Sequence, residues 1–325
     1  MTGRLGGAWS RWVAFTGEVE RASVMAAFRI AVGALTLATL VHSALGDVVS
    51  TLWIDAGYGG AVALGEGPWL VALFGGPTPA VVWTVFAVAC AASILVCVGA
   101  GGRVPAMVAA HTSWALTRIN GSAGGGYDLL ITNALFLIFV SGANRTASVD
   151  CRVRTGRWTS DDLVPAWPRR LLILQLLVMY AATGLQKGSP VWNPLGGYTA
   201  LYYVLQDPNW RRFDLSWVGG YMPIVRVATA VTWHFELGAP FLFLWYWADR
   251  TRARGGWLRR ALTRFDLRKV FVAIGVGLHL GVFVALDVGP FSPLSLAYYL
   301  ALFSPDEWRG WWARSGRTAR PASRP

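Results

Sequence analysis

The sequence predicts an all-α fold: a polytopic integral membrane helical bundle of about eight transmembrane helices, with N- and C-termini cytoplasmic. Three observations carry that expectation. Only 14% of the 325 residues are charged and 54% are hydrophobic, against roughly 25% charged in an average soluble domain. The apolar residues gather in repeated long runs, several of them near the ~20 residues that cross a hydrocarbon core. The chain also holds 18 Trp, a residue that anchors segments at the membrane–water interface. The net charge of +12 then belongs to topogenic residues facing the cytoplasm and its anionic lipids. No basic module on a single face and no base-reading motif is present, so membrane lipids are expected partners and nucleic acid is not.

The elements follow in order. Residues 1–21 form a basic, amphipathic cytoplasmic arm. The arm lacks a compact apolar core and a small-residue cleavage site, so the first apolar run is expected as a retained span. The transmembrane domain is expected over 22–304 and a basic cytoplasmic tail over 305–325. Span one runs from about Ala22 to Leu45 and carries Arg29. A Gly- and Trp-rich loop, Gly46 to Pro77, leads to span two, about Thr78 to Ala100. A tight turn with Arg103 precedes span three, about Val104 to Arg118. The glycine-rich joint from Asn120 to Gly126 precedes span four, about Tyr127 to Gly142. Spans three and four are short for a membrane crossing.

A basic loop from Arg145 to Arg170 precedes span five, about Arg170 to Lys187. An aromatic, polar stretch from Trp192 to Tyr221 holds one short helix, Gly197 to Leu205. Span six is about Met222 to Trp247, punctuated by Pro223 and Pro240. A second basic loop, Ala248 to Lys269, precedes span seven, about Val270 to Val288. Gly289 and Pro290 turn into span eight, which ends near Phe303, and the tail is expected to be disordered at its end. The basic segments all fall on one side of this arrangement, which sets the orientation. Only Arg211 and Arg212 sit against it. Lys187, Tyr127 and Asp128 then lie near the outer face of the cell inner (plasma) membrane, in a multi-pass protein.

Chemistry is sought among ionisable residues inside spans, because such residues are costly and face a bundle interior or a wet cavity. They are Arg29, His111, Asp128, Lys187, His234, Glu236 and His279. Lys187 closes an apolar helix just before Gly188, Ser189, Pro190 and Trp192. One reading is structural: a lysine at the negative end of a helix dipole, snorkelling to the interface. The other is a desolvated lysine acting as a general base. Tyr180 and Thr183 share its helix face. Glu236 needs a donor, and Lys187, Arg29 or His279 could supply one; it is either a buried ion pair or part of a site. His234, two residues away, points to the opposite side of the helix. His279 is either a packing histidine or a proton relay.

Other chemistries are disfavoured. Cys90 and Cys97 share an apolar run, and no Cys-x-x-Cys or Cys/His zinc spacing exists, so neither thiol redox chemistry nor a metal site is expected. Metalloprotease, serine hydrolase, glycosyltransferase and NTPase motifs are absent from the sequence. A transporter is a weaker class, because no internal repeat or paired broken helices stand out.

Several motifs carry a family resemblance. They are Tyr180-Ala181-Ala182-Thr183-Gly184-Leu185-Gln186-Lys187 followed by Trp192 and Gly197-Tyr198, and Gly142-Ala143-Asn144-Arg145 followed by Ser148-Val149-Asp150. Others are His279, then Val288-Gly289-Pro290-Phe291-Ser292, then Ser304-Pro305-Asp306-Glu307-Trp308. In this order the sequence resembles the horizontally transferred transmembrane (HTTM) domain family, which includes the vitamin K-dependent γ-glutamyl carboxylases. Arg29 and Glu236 also fit the wider family pattern.

The resemblance implies a role for each matched position. Lys187 falls on the carboxylase lysine that deprotonates reduced vitamin K, which starts an oxygenation yielding a strong base for glutamate carboxylation. Together with the ionisable residues singled out above, the expected catalytic set is Lys187, Glu236, His279, Tyr127 and Asp128. Trp192, Tyr180, Arg29 and His234 are the expected cofactor-binding residues, for reduced vitamin K or menaquinol. Tyr127 stands where the carboxylases carry a histidine implicated in catalysis. The chain also ends soon after its last span, so the expectation is the membrane reactor without the long lumenal β-rich region of the carboxylases.

A second branch, the sporulation-delaying protein B type, matures a secreted peptide toxin. Thr199 to Pro208 resembles its sequence after the tryptophan. Two functions therefore stay open: a carboxylase-like enzyme that modifies a secreted peptide, or a non-catalytic maturation or export factor working with such a peptide or a small accessory protein.

Overall fold

The structure, a computed structural model, describes residues 2–318. It is 73% helix and 3% strand, which settles the all-α class. The helices in order are α1 (Thr2–Thr16), α2 (Ser23–Leu45), α3 (Val48–Leu52), α4 (Trp69–Ala72), α5 (Pro79–Val98), α6 (Val104–Ile119), α7 (Gly126–Ser141) and α8 (Val149–Thr155). They continue with α9 (Trp167–Gln186), α10 (Ala200–Gln206), α11 (Met222–Gly238), α12 (Phe241–Arg250), α13 (Trp257–Leu262), α14 (Leu267–Ala285), α15 (Phe291–Tyr299) and α16 (Pro305–Thr318). β1 (Val19–Arg21) pairs antiparallel with β2 (Leu163–Pro165). The chain divides into two compact units, Met1–Leu172 with Leu300–Pro325, and Ile173–Tyr299.

In the first unit α2 packs on α5, α5 on α6, α6 on α7, and α7 back on α2, which closes a four-helix ring. Local signals explain α5. Thr78 caps its start, accepting from the Val81 N–H at 3.3 Å, and Pro79 fills the first turn, where a missing N–H costs nothing. Gly99 ends it at φ 68°, a conformation that favours glycine. Leu40, Val82, Val85, Ala89, Leu116 and Ile119 form one buried cluster in the unit. Gly33 of α2 lies so close to α5 that a Cβ there would stand 2.6 Å from the Cys97 backbone nitrogen. Small residues of this kind let membrane helices approach.

The arm is helical and then tied down. α1 exposes Trp9, Trp12 and Val13, side chains suited to a membrane interface. After it, Arg169 holds Glu20 in a bidentate pair at 2.7 and 2.8 Å and donates to the Ala301 carbonyl at 2.8 Å. Arg170 pairs with Glu18 and lies 4.3 Å over the Phe15 ring. The tail starts as a helix, α16; its expected disordered end, residues 319–325, lies outside the described residues.

In the second unit α10 packs on α11, and α14 packs on α11, α12 and α15. The Phe235 and Phe271 rings stack at 4.4 Å between α11 and α14. The expected sixth span is not one straight helix: it bends by 50° between Gly238 and Phe241. Pro240 sits in the break and cannot supply the helical hydrogen bond. The short helix expected over Gly197 to Leu205 is found as α10, displaced because Gly197 takes φ 66°. Arg211 and Arg212, the two exceptions to the charge pattern, are neutralised locally. Arg211 pairs with Asp214 at 3.2 Å and Arg212 with Asp287 at 3.3 Å.

Among the described residues, three helical segments are long and apolar enough to cross a membrane: Ser23–Leu45, Pro79–Val98 and Trp257–Ala285. The bent pair makes a fourth if counted as one span. The other expected spans fall short for physical reasons. α6 and α7 have 16 residues each, and the last apolar helix, Phe291–Leu302, is shorter still. α9 has the length but carries Arg169, Arg170 and Gln175.

Candidate functional site

The candidate site is built on the face of α9 that carries Tyr180 and Gly184 and is continued by Lys187 just past the helix end, the three spaced four and three residues apart and so stacked along one side. The helix stops at Gln186, and the single turn Pro190–Trp192 follows. This folds the Trp192 ring back to 5.0 Å from the Lys187 Nζ. Lys187 Nζ donates to Glu236 Oε2 on α11. Gly184 makes that meeting possible: a Cβ there would lie 2.9 Å from the Leu237 nitrogen and 3.0 Å from the Glu236 Cβ. Of the donors considered for Glu236, it is Lys187 that binds it.

The pair is largely out of water, with side-chain exposures of 20% for Lys187 and 9% for Glu236. Such burial costs each ion its hydration, and only the partner offsets the loss. The Trp192 face adds cation–π attraction. Exposure of the lysine end leaves one side of the pair open.

About two turns back along α9, Tyr180 Oη lies 2.5 Å from His279 Nε2 on α14 and 2.7 Å from Tyr299 Oη on α15. Phe235 and Phe271 pack edge-on against the Tyr180 ring at 5.0 and 5.7 Å. His279 is 1% exposed, and its Nδ1 is buried without a hydrogen-bond partner. Three groups that each give and accept a proton are thus linked inside an aromatic shell. The arrangement fixes the Tyr180 hydroxyl and can pass a proton between His279 and Tyr299.

The other candidates have partners within their own units. His234 is exposed, with Nδ1 2.8 Å from the Ala230 carbonyl and its ring against Tyr198 and Trp233. Arg29, 0% exposed, serves the backbone of the first unit. Its guanidinium donates to the carbonyls of Val96 at 2.5 Å, Cys97 at 2.7 Å and Ala147 at 2.5 Å. It thereby caps the end of α5 and holds the approach to α8. Asp128 caps α7, accepting from the Gly125 N–H at 2.8 Å. Tyr127 and Asp128 line a small pocket in the first unit. No cluster of three metal-ligating side chains exists among the described residues.

Two contributors escape a reading of the sequence. Tyr299 lies in an apolar run where its hydroxyl was the one available signal. Gly184 matters only because of what faces it.

A family model described as the HTTM domain matches residues 18–259, most of the chain. The chain belongs to the HTTM family. It is therefore a membrane protein related to carboxylase membrane domains. No well-characterised protein and no solved structure matches it. The HTTM match takes in Arg29, Tyr127, Tyr180, Lys187, Trp192 and Glu236, and ends before His279 and Tyr299.

Proposed function

We propose that this HTTM protein is a carboxylase-like membrane enzyme that uses Lys187 and Glu236 as a coupled base toward a reduced quinone, in the service of modifying a secreted peptide. The observation that carries this reading is the Lys187–Glu236 pair, buried on one side and roofed by Trp192. An ammonium has no lone pair with which to take a proton. The neutral form of the pair does: when the shared proton rests on Glu236 Oε2, Lys187 Nζ is a free amine in apolar surroundings. Lys187 can then accept a proton from an acidic hydroxyl, and its new positive charge stabilises the oxygen left behind. Glu236 holds the first proton throughout.

The residues present fit a reduced quinone. Trp192 offers a flat aromatic wall, and the Lys187 Nζ beside it offers a polar end. The quinone would supply reducing equivalents for oxygen chemistry. Tyr180, held by His279 and Tyr299, fixes the face of α9 from which Lys187 projects. The finer topology follows from charge: eight spans in the inner membrane, built on α2, α5, α6, α7, α9, the α11–α12 pair, α14 and α15, with both termini cytoplasmic. Cysteine labelling of residues 145–170 from the inside supports this; labelling from the outside refutes it.

The test of function uses purified protein in lipid nanodiscs with menaquinol or reduced vitamin K. Wild-type protein forms quinone epoxide and Lys187→Ala loses it. No epoxide from the wild type removes the enzymatic reading, and full epoxide formation by Lys187→Ala removes the base. One observation favours a non-catalytic second reading: the charged pair is buried enough to serve as a helix–helix lock. That reading is a maturation or export factor, which co-purifies with a small secreted peptide and oxidises no quinol.

A further inference from the structure

The first unit contains a small pocket, lined by several hydroxyl-bearing side chains, that the proposed chemistry does not use. It has a volume of about 30 Å³, room for about two water molecules. Its walls come from α2, α6, α7, the residue that follows α3, and Ala123 in the joint before α7.

One set of wall groups can only accept. Thr36 donates its hydroxyl proton to the Val32 carbonyl at 2.8 Å, Thr39 to Leu35 at 2.8 Å and Ser43 to Thr39 at 3.1 Å. Thr117 donates to Trp114 at 3.2 Å and Thr132 to Asp128 at 2.9 Å. Each proton is pinned to its own helix, as is common for serine and threonine in apolar helices. The lone pairs of these oxygens are what remains for the pocket. The Asp128 carboxylate adds a further acceptor.

A second set lacks an acceptor. Trp53 is 2% exposed and Ser113 7%. Both line the pocket, and both Trp53 Nε1 and Ser113 Oγ are buried with no hydrogen-bond partner. An indole N–H only donates. Burying it unpaired forfeits its hydration with nothing in return. The wall is thus rich in acceptors and also holds donors that go unanswered.

This combination selects the ligand. An anion would face a carboxylate and a row of hydroxyl oxygens whose protons point away. A cation would face the Trp53 N–H. An uncharged hydroxyl oxygen suits both walls, accepting from Trp53 and Ser113 while donating to the threonine row. We propose that this pocket is a binding site for an uncharged hydroxyl group, supplied by ordered water or by one terminal hydroxyl of a polyol, such as a glycerol headgroup, whose remainder stays outside. The inference is independent of the chemistry at Lys187.

The test is the sign of the effect of Ser113→Ala on thermal unfolding of the full chain in nanodiscs. In an occupied pocket the change removes a hydrogen bond to the ligand, and the unfolding temperature falls by about 2 °C or more. In a dry pocket it removes an unpaired buried hydroxyl, and the temperature stays or rises. A high-resolution map gives a second readout: density within hydrogen-bond distance of Trp53 Nε1 and Ser113 Oγ. Added glycerol separates the two sources, with sucrose as a control too large to enter. Stabilisation of the wild type beyond that of Ser113→Ala by glycerol alone assigns a polyol; equal effects, with density present, assign water. An unchanged or raised unfolding temperature, a pocket without density, or a saturable sodium- or phosphate-specific shift overturns the proposal.

Discussion

Gly184 on α9 faces Glu236 on α11 at a separation that admits no side chain, since a Cβ at Gly184 would stand 3.0 Å from the Glu236 Cβ and 2.9 Å from the Leu237 nitrogen. The backbone atom cannot move as a flexible side chain would. Gly184→Ala should therefore push the two helices apart at the level of the ion pair. The expected cost is about 1–3 kcal/mol, typical of overpacking, together with loss of quinol-dependent activity. Gly281→Ala in α14 is the control, because nothing lies within 4 Å of the added carbon. It should be neutral or slightly stabilising through helix propensity. Thermal unfolding of both variants decides the matter; equal effects would show that the close approach is unimportant.

The ion pair itself predicts an asymmetry between single and double replacement. Glu236→Leu leaves a largely buried ammonium with the Trp192 face as its remaining attraction. Breaking a buried pair in this way costs roughly 3 kcal/mol or more. Replacing both partners with apolar residues of similar volume, Lys187→Met with Glu236→Leu, should restore most of that stability. Epoxide formation should stay about 100-fold or more below wild type, the low end of a general-base contribution. A double variant that regains stability while staying inactive separates the chemical role from the structural one. If it regains activity as well, the pair is only a lock.

Much of this site is legible in the residue pattern, and the limits are physical. A lysine closing an apolar helix and followed by Pro190 and Trp192 advertises itself, since burial of an ammonium needs a reason. Helical spacing places Tyr180 on the face of Lys187, but spacing names a face and not the neighbour across it. That is why the His279 and Tyr299 partners of Tyr180 appear only in three dimensions. Arg29 shows the limit differently. Its partners are carbonyls of Val96, Cys97 and Ala147, and every residue has a carbonyl, so no sequence signal separates a capping arginine from a ligand-binding one. The span count is hard for a third reason. Hydropathy identifies α2 and α5 outright, whereas 16-residue helices such as α6 and α7 sit below the length at which it decides.

Arg29 is expected to be a folding residue. Its guanidinium satisfies three carbonyls on two chain segments, and Gly99 is packed so closely that a Cβ there would meet the Arg29 Nη1 at 2.6 Å. Arg29→Lys keeps the charge but replaces a planar fork with a point donor. It should leave at least one buried carbonyl unpaired, at about 1–3 kcal/mol each. The measurement is unfolding temperature alongside the Michaelis constant for quinol. A fall in stability with an unchanged Michaelis constant fits a capping role; a raised Michaelis constant with normal stability would return Arg29 to the cofactor site.

Asp55, in the loop between α3 and α4, predicts how that loop responds to acid. Its carboxylate accepts from the Leu64 N–H at 2.6 Å and the Gly57 N–H at 2.8 Å. Those backbone donors favour the charged form and hold its pKa below the usual carboxylate value. A depressed folded-state pKa means that the loop is stabilised at any pH above the unfolded value of about 3.9. That stabilisation is lost as the pH falls through the lower folded-state value, when the protonated acid no longer draws both N–H groups. Hydrogen exchange of the Leu64 and Gly57 amides should therefore be protected at neutral pH and lose protection below about pH 4. Asp55→Asn keeps one neutral acceptor and no charge, so its protection should be weaker at neutral pH and flat through the acid range. Protection that falls with acid equally in both proteins would place the titrating group elsewhere.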